Sequence, residues 1–259
     1  MCKIAFSVGG IAIHWYGILA AVGFLVGLWT ASRRAPRYGI PAETVADFGP
    51  WVIVGALVGA RLWFVLSYWQ EEFAGKPLWE TLNLRAGGLV FYGGLVGAVV
   101  ATLLFVRRRK VPLWTFADAL APSIALGHAF GRGGCLMNGC CYGLPTNLPW
   151  AIHLNDDPFL RGIGVHPTQI YEGVLLLALY GALAWQYRRK RFAGQTFALY
   201  LLAYAPIRFA VEIFRGDYGD YRFAGLKPGQ AFSVVVFAAG LWCYAKLRHS
   251  ETPPASPSV

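Results

Sequence analysis

The stretch GHAFGRGGCLMNGCCYG, from Gly127 to Gly143, concentrates side chains that could do chemistry at the end of an apolar segment. Arg132 and Asn138 offer hydrogen-bond donors, and three cysteines stand among the glycines. A charged side chain near the centre of a bilayer costs about 2.5 to 3.5 kcal/mol, so a helix facing lipid would not keep Arg132 there. The stretch therefore predicts a polar pocket inside a helix bundle, suited to an anionic group.

A second polar stripe lies in the last quarter of the chain. Tyr204, Arg208, Glu212 and Arg215 are spaced four, four and three residues apart, which places them on one helix face. In an apolar span such a face points into the bundle, where its charges can pair. In one interpretation Arg208 and Glu212 form a structural ion pair that holds helices together. In the other, Arg208 and Arg132 together bind a phosphate, because the planar guanidinium fork matches phosphate oxygens.

Two tyrosines are further candidates. Tyr92 lies in AGGLVFYGGLVG, whose glycines allow close helix packing and would leave Tyr92 in a narrow crevice. Tyr16 lies in IHWYG at the start of the first apolar run. It is either part of an aromatic belt at the membrane interface or a site residue in a place comparable to that of Tyr92.

Two other polar residues each have a structural and a functional interpretation. Arg61, in the second apolar run, either extends its charge to the outer surface or binds substrate. His166 opens the motif HPTQIYE, in which the proline suits a helix start and Glu172 falls within the first turns. His166 is therefore either a loop anchor or a group that transfers protons near neutral pH.

The cysteines Cys135, Cys140 and Cys141 invite a metal or a redox interpretation. Their spacing lacks the paired C-x2-C pattern of structural zinc sites, so the metal signal is weak. Further ligands would have to come from the histidines His128, His153 and His166. A disulfide between Cys135 and Cys140 is better supported in an oxidising compartment. We therefore predict no metal and no cofactor.

The composition indicates what kind of structure must position these residues. Of the 259 residues 56% are hydrophobic and the mean hydropathy is +0.47, whereas soluble domains are about 45 to 50% apolar. The net charge of +10 does not indicate nucleic acid, because clusters such as 107–110 and 188–191 directly follow apolar runs. That placement is typical of cytoplasmic ends of membrane helices. The sequence predicts an all-α integral membrane protein.

A bilayer core of about 30 Å requires about 20 helical residues, and runs of roughly that length define the predicted spans. Seven transmembrane helices are predicted, at 13–31, 46–67, 88–106, 116–130, 168–187, 196–214 and 230–247. The fourth is short if it stops at the glycines, so we expect it to continue irregularly into the cysteine-rich stretch.

Basic residues after the first, third, fifth and seventh spans predict the orientation. They are Arg33, Arg34, Arg37, the clusters 107–110 and 188–191, Lys246 and Arg248. By the positive-inside rule the N-terminus is periplasmic and the C-terminus cytoplasmic, which places the cysteine-rich stretch and the loop 144–167 outside. Residues 1–249 form one seven-helix domain, and the Pro- and Ser-rich tail 250–259 is predicted to be disordered.

Taken together, these motifs resemble the prolipoprotein diacylglyceryl transferase family. The matching pieces occur in the family's order along nearly the whole chain. They are IHWYG at 13–17, Arg61 in GARLWFVL, GGLVFYGGLVG at 87–97, GRGGCLMNGCCYG at 131–143, HPTQIYE at 166–172 and RFAVEIFR at 208–215.

The resemblance implies transfer of diacylglycerol from phosphatidylglycerol to the cysteine thiol of a prolipoprotein signal peptide, with release of glycerol phosphate, in the bacterial inner membrane. It implies essential roles for Arg132 and Arg208, which handle the lipid phosphate, and for Tyr16, and it matches Asn138, Glu212 and Arg215 to other motif residues. From the residues themselves we add His166 and Tyr92 as catalytic candidates. The predicted substrate-binding set is Arg132, Arg208, Asn138, Arg61, Tyr204, Glu212 and Arg215. Membrane lipids are further partners, no cofactor is implied, and nucleic acid is not a partner.

Three positions depart from the family's pattern. Tyr92 stands where the family has a histidine, Cys135 where it has an asparagine and Cys140 where it has a glutamate. His166 therefore becomes the predicted proton acceptor. Two other hypotheses stay open at this point: a related enzyme that uses the same lipid pocket for another acceptor, and a lipid receptor or redox sensor that uses Cys135 and Cys140.

Overall fold

The structure is a computed structural model that describes residues 3–9, 11–83, 87–154, 160–217 and 225–249. The predicted tail 250–259 lies outside the described residues, as does the segment 155–159 of the loop between the fourth and fifth helices.

Long helices make up most of the described residues. They are α1 Trp15–Arg34, α2 Ala42–Ser67, α3 Phe91–Arg109, α4 Leu113–Asn138, α5 Thr168–Tyr187, α6 Gln195–Phe214 and α7 Pro228–His249. The predicted runs match these helices to within a few residues, apart from the fourth. Apolar runs of this length therefore located the helices well.

The fourth helix differs from the prediction of an irregular ending. α4 continues as a regular helix through Gly131, Gly133 and Gly134 and ends at Asn138, where Gly139 adopts a left-handed conformation (φ 71°). Isolated glycines cost a helix only about 1 kcal/mol each, and packing on both sides of α4 offsets that cost. Arg132, Cys135 and Asn138 consequently stand on a helix, whereas Cys140 and Cys141 follow its end.

Two small hairpins accompany the helices and were not predicted. β1 (Ile4–Val8) and β2 (Ile11–His14) pair antiparallel just before α1, and β3 (Ile152–His153) pairs with β4 (Gly164–Val165) between α4 and α5. They are too short to change the all-α class.

The helix surfaces are suited to a membrane. Five helices, α1, α2, α3, α6 and α7, are long and apolar enough by length and composition to cross a bilayer. Large apolar side chains such as Leu66 (70% exposed), Val54 (60%) and Trp242 (59%) face outward. Such apolar surface is expected to contact lipid. The protein is therefore a multi-pass membrane protein, while seven spans remain a prediction.

The glycines of the third helix serve packing, as predicted. A Cβ atom on Gly59 or Gly97 would collide with the backbone of the facing helix, since Gly59 of α2 lies against Gly93 and Gly97 of α3. Small residues let helix backbones approach closely where no hydrophobic force drives association. α2 and α3 form one closely packed pair for this reason.

The C-terminal ends of α1, α3, α5 and α7, with their basic clusters, meet at one end of the bundle, which we call the basic end. Ala31 of α1, Phe105 of α3 and Tyr187 of α5 are fully buried in one core cluster there. Tyr244 of α7 contacts Phe192, which follows α5, with ring centroids 5.4 Å apart. The prediction that these clusters share one end is confirmed.

Candidate active site

A buried carboxylate, Glu172, organises the polar residues at the end of the bundle opposite the basic end. Its Oε2 atom lies 2.9 Å from Arg132 Nη2 and 3.4 Å from Arg208 Nη1. Its Oε1 atom lies 3.6 Å from His128 Nε2. Because both guanidiniums reach the same carboxylate oxygen, Arg132 and Arg208 share one site, as the sequence predicts. We call these four residues the Glu172 cluster.

Three helices supply the Glu172 cluster. His128 and Arg132 are four residues apart on α4, so they project from one face. Glu172 stands in the second turn of α5, and Arg208 comes from α6. Glu172 is only 1% exposed, so its charge requires the cations around it.

A second buried carboxylate, Glu212, holds Arg208 from the other side. Arg208 Nη2 contacts Glu212 Oε2 at 2.5 Å, so the predicted Arg208–Glu212 ion pair is present. The backbone N–H of Gly229, at the start of α7, donates to Glu212 Oε1 at 3.2 Å. Arg215 lies 3.8 Å from Glu212 and binds Asp217 through two hydrogen bonds of 2.7 and 3.1 Å. Arg208 is therefore fixed by two carboxylates from different helices.

Several buried polar atoms of this region have no hydrogen-bond partner among the described residues. They are Arg132 Nε, Gln169 Oε1 and Glu172 Oε1. Buried polar atoms are nearly always paired in folded proteins, so a group of unpaired atoms requires an explanation. A bound polar ligand would supply partners for them.

An apolar groove opens beside Arg132 and has a cavity volume of about 270 Å³. α1, α4 and α5 form its walls, and we call it the α1–α4–α5 groove. The apolar residues lining it include Leu19, Phe130, Leu136, Ile170, Val174 and Leu177. Arg132 is the charged member of the lining, and its side chain is 11% exposed. The groove thus pairs an apolar wall with one guanidinium.

Two predicted tyrosines lie next to these residues. The Tyr204 ring is 5.6 Å from the His128 ring and stacks on Tyr200 at 5.7 Å. Tyr16 packs against α4, where a Cβ on Gly134 would come within 3.0 Å of its ring, and its charge neighbours include Arg132.

His166 has the contacts of a loop anchor. Its backbone N–H donates to Leu144 O at 3.0 Å, and its backbone O accepts from Gly143 at 2.9 Å. Its Nδ1 lies 3.2 Å from the Tyr171 hydroxyl, which also accepts a 2.8 Å hydrogen bond from Trp150 Nε1. These contacts agree with the structural interpretation, and a role in proton transfer stays a prediction.

The crevice expected around Tyr92 is absent. Tyr92 stands in the first turn of α3, is 49% exposed, and contacts Phe91 and Phe232 of α7. The prediction of a crevice was wrong because the glycines nearby face α2 instead of enclosing the tyrosine.

Arg61 is buried, which rules out the interpretation that it extends to the outer surface. It is 7% exposed and donates to the backbone carbonyls of Glu80, Thr81, Gly87 and Gly88 at 2.6 to 3.2 Å. Those carbonyls belong to the connection between α2 and α3. Arg61 therefore orders this connection.

The predicted disulfide between Cys135 and Cys140 is not formed, and both cysteines are free thiols. Cys135 stands in the last turn of α4, and the Cys140 thiol donates to the Cys135 carbonyl at 3.7 Å. Asn138 Nδ2 donates to Cys140 Sγ at 3.5 Å. Hydrogen bonds from the Cys135 and Cys141 thiols lower the pKa of the Cys140 thiol, which lies beyond the end of α4.

Sequence reasoning missed the central position of Glu172 and the part played by His128. Glu172 appeared only as a residue of a helix start, and His128 only as a distant metal ligand. The four-residue spacing of His128 and Arg132 was a usable signal, because it places both on one face of α4. No spacing in the sequence connects Glu172 of α5 to that face.

Comparisons with known proteins agree with the motifs. The family model described as prolipoprotein diacylglyceryl transferase matches residues 3–246. The chain is 36% identical to the phosphatidylglycerol–prolipoprotein diacylglyceryl transferase of Finegoldia magna over 96% of both chains. It is 35% identical to the enzyme of the same name from Synechococcus elongatus, over 98% of this chain and 91% of the relative. The Bordetella bronchiseptica enzyme is 35% identical over 93% of both chains.

Proposed function

The chain belongs to the prolipoprotein diacylglyceryl transferase family, and we propose that the Glu172 cluster and the α1–α4–α5 groove form its active site. The chain is an enzyme that transfers a diacylglyceryl group from phosphatidylglycerol to a prolipoprotein. Its substrates reside in a membrane, which agrees with a protein whose long helices are apolar.

The observation that carries the proposal is the position of Arg132. Its guanidinium stands at the wall of an apolar groove, and its buried Nε has no partner in the described part of the chain. We assign the lipid phosphate to Arg132 and the glyceryl end of the lipid to the groove. Ligand sites usually measure about 300 to 1,000 Å³, so a cavity of about 270 Å³ takes only part of a phospholipid, and the acyl chains extend into the bilayer.

Arg208 supplies the second positive charge. Glu172 and Glu212 fix its guanidinium before any lipid binds, so no reorganisation is needed during the reaction. When the bond between the glyceryl carbon and the phosphate oxygen breaks, negative charge accumulates on glycerol phosphate. Arg132 and Arg208 stabilise that charge.

Other residues of the predicted set position these two arginines. Arg215 contacts Glu212, and Tyr204 packs on His128. Tyr16 and Asn138 lie at the Arg132 end of α4, where they can contact the lipid headgroup. Arg61 orders the connection between α2 and α3 and acts on substrate indirectly.

The acceptor in this proposal is the cysteine thiol of a prolipoprotein signal peptide. That thiol attacks the glyceryl carbon and must lose its proton to do so. We assign the proton to His128, because its Nε2 lies 3.6 Å from the Glu172 carboxylate, which can orient the ring and stabilise the imidazolium formed when it accepts the proton. His166 is the second candidate, and its engagement with Tyr171 makes it the weaker one.

The proposed orientation follows from the charges. The basic end faces the cytoplasm of a bacterial cell, and the Glu172 cluster faces the outer side of the inner membrane. The N-terminus is then periplasmic, the C-terminus cytoplasmic, and all seven long helices cross the bilayer.

A transfer assay tests the proposal. Purified protein in phosphatidylglycerol vesicles is incubated with a lipoprotein signal peptide, and the thioether product is quantified by mass spectrometry. Arg132→Lys keeps the charge but loses the planar fork, and we expect about 10²- to 10³-fold slower transfer. Arg109→Lys, at an exposed ion pair with Asp47, is the matched control and should leave the rate unchanged. Equal rates for the two variants would contradict the proposed site.

A further inference from the structure

Three thiols lie together just beyond the Glu172 cluster and take no part in it. The sulfurs of Cys135, Cys140 and Cys141 all lie within 4.8 Å of one another. The proposed transfer reaction assigns no role to these three thiols. We call it the thiol cluster.

The backbone that carries these thiols is fixed to α5. Gln169 Nε2 donates to Cys140 O at 2.7 Å, and Thr168 Oγ1 donates to Cys141 O at 2.6 Å. Both donors are almost completely buried, at 1% and 2% exposure. Cys141 also adopts a left-handed conformation (φ 62°), which is costly for a residue with a side chain and is held here by these bonds. The sulfurs are thus brought together by a built loop.

The spacing of the sulfurs suits one shared ion. A thiolate binds zinc at about 2.3 Å, so three sulfurs around one ion lie roughly 4 Å apart, which is compatible with sulfurs that all lie within 4.8 Å of one another. A disulfide would need about 2.05 Å between two of them. We propose that Cys135, Cys140 and Cys141 bind a single thiophilic cation, Zn²⁺ or Cu⁺, through three thiolates.

The donor set explains this choice of ions. Soft thiolate ligands select Zn²⁺ and Cu⁺ over Mg²⁺ or Ca²⁺. No histidine, aspartate or glutamate in the described part of the chain joins the three sulfurs as a fourth ligand. Zn²⁺ would therefore keep a water in its fourth position, whereas Cu⁺ would be three-coordinate.

Binding changes the charge of the cluster. Three neutral thiols release three protons, so the loaded cluster carries a charge of about −1 with Zn²⁺ and about −2 with Cu⁺. Arg132 is an electrostatic neighbour of Cys135 and Cys141. The loaded cluster would attract the Arg132 guanidinium and weaken its hold on an anionic lipid. This consequence rests on the proposed function, whereas metal binding itself does not.

Metal titration of the full-length protein tests the inference. The protein is reduced with a phosphine under anaerobic conditions, and its affinity for each ion is measured by competition with a chromophoric chelator, Zn²⁺ in one arm and Cu⁺ in the other. We expect about one ion per chain in at least one arm. Each of Cys135→Ser, Cys140→Ser and Cys141→Ser should weaken binding by at least about 10- to 100-fold.

The matched control is Cys243→Ser, because Cys243 is a buried free thiol on α7 outside the cluster. It should leave binding unchanged. A variant with all three cluster cysteines replaced by serine sets the background. The inference would be overturned if the unsubstituted protein bound the ions no more tightly than this variant, or if Cys243→Ser weakened binding as much as the cluster variants do. It would also be overturned by reduced protein that binds neither ion while the untreated protein holds two of the three sulfurs as a disulfide, which would indicate a redox pair. All of these readouts are independent of transfer activity.

Discussion

The protein has two buried carboxylates that contact cations, Asp118 near the basic end and Glu172 near the opposite end. They differ in how many of their oxygens accept hydrogen bonds. Asp118 accepts from Lys190 Nζ at 2.9 Å, from the Gly194 N–H at 2.8 Å and from the Phe197 N–H at 2.9 Å. Glu172 has two arginines and one histidine as neighbours, yet one of its oxygens has no hydrogen-bond partner in the described residues.

The difference separates a structural site from a functional one. Asp118 connects the start of α4 to the start of α6 and the end of α5 through hydrogen bonds from protein groups. The Glu172 cluster leaves polar atoms unpaired next to an apolar groove that contains Arg132. A buried ion pair is therefore informative about function only when its hydrogen bonds are counted.

The largest expected effect in this comparison is on stability at the Asp118 site. Asp118→Asn leaves Lys190 buried without a counter-ion, and we expect the free energy of unfolding to fall by about 3 to 5 kcal/mol. Unfolding in mixed micelles, followed by circular dichroism, measures it. The double variant Asp118→Leu with Lys190→Met should recover most of the loss. Transfer per folded molecule should stay near that of the unsubstituted protein, and a selective loss of transfer would break the comparison.

Glu172→Gln should show the reverse pattern. The amide keeps the shape of the side chain but removes the charge that holds Arg132 and Arg208, so transfer should fall by about 10²- to 10³-fold. Stability should change less than in Asp118→Asn, because Arg208 retains Glu212 and Arg132 borders an open groove. Steady-state transfer and unfolding are measured on the same preparations. A variant that unfolds but transfers normally when folded would place Glu172 with Asp118 as a structural residue.

His128→Asn tests whether His128 accepts the proton of the acceptor thiol. We expect transfer to fall by about 10²-fold at neutral pH, at the lower end of general-base effects, and the loss to shrink at high pH, where the acceptor thiol ionises by itself. His166→Asn is the companion variant, and its pH profile should keep its shape. The opposite result, with the pH profile changed only in His166→Asn, would assign the proton to His166.

Tyr92→Phe should have the smallest effect. Tyr92 is half exposed and its contacts are made by the ring, which phenylalanine retains. We expect transfer within about twofold of the unsubstituted protein and a stability change within about 0.5 kcal/mol. A loss of tenfold or more would show that the Tyr92 hydroxyl takes part in the reaction.

The sequence predicted the helices well because long apolar runs have a direct physical meaning in a membrane. It also predicted that Arg132 and Arg208 meet, since a charged residue in an apolar helix must face the bundle interior. Both predictions depend on properties of single helices.

What the sequence could not predict depends on contacts between helices. Glu172 belongs to a helix start by its motif, and only the packing of α4, α5 and α6 places it between two arginines. Arg61 looked like a surface or substrate residue, but the connection between α2 and α3 folds over it. The disulfide prediction failed because sequence distance carries no information on where the Cys135 and Cys140 sulfurs point.

The most direct test of the central claim asks which lipid occupies the α1–α4–α5 groove. A photocrosslinking amino acid is placed at Val174, which lines the groove and is 59% exposed. The control position is Val235 of α7, which is 66% exposed and does not line the groove. The protein is irradiated in vesicles of equal phosphatidylglycerol and phosphatidylethanolamine, and crosslinked lipids are identified by mass spectrometry. We predict enrichment of phosphatidylglycerol at Val174, none at Val235, and loss of the enrichment in Arg132→Ala. Equal lipid ratios at the two positions would contradict the proposal that the groove and Arg132 form the binding site for phosphatidylglycerol.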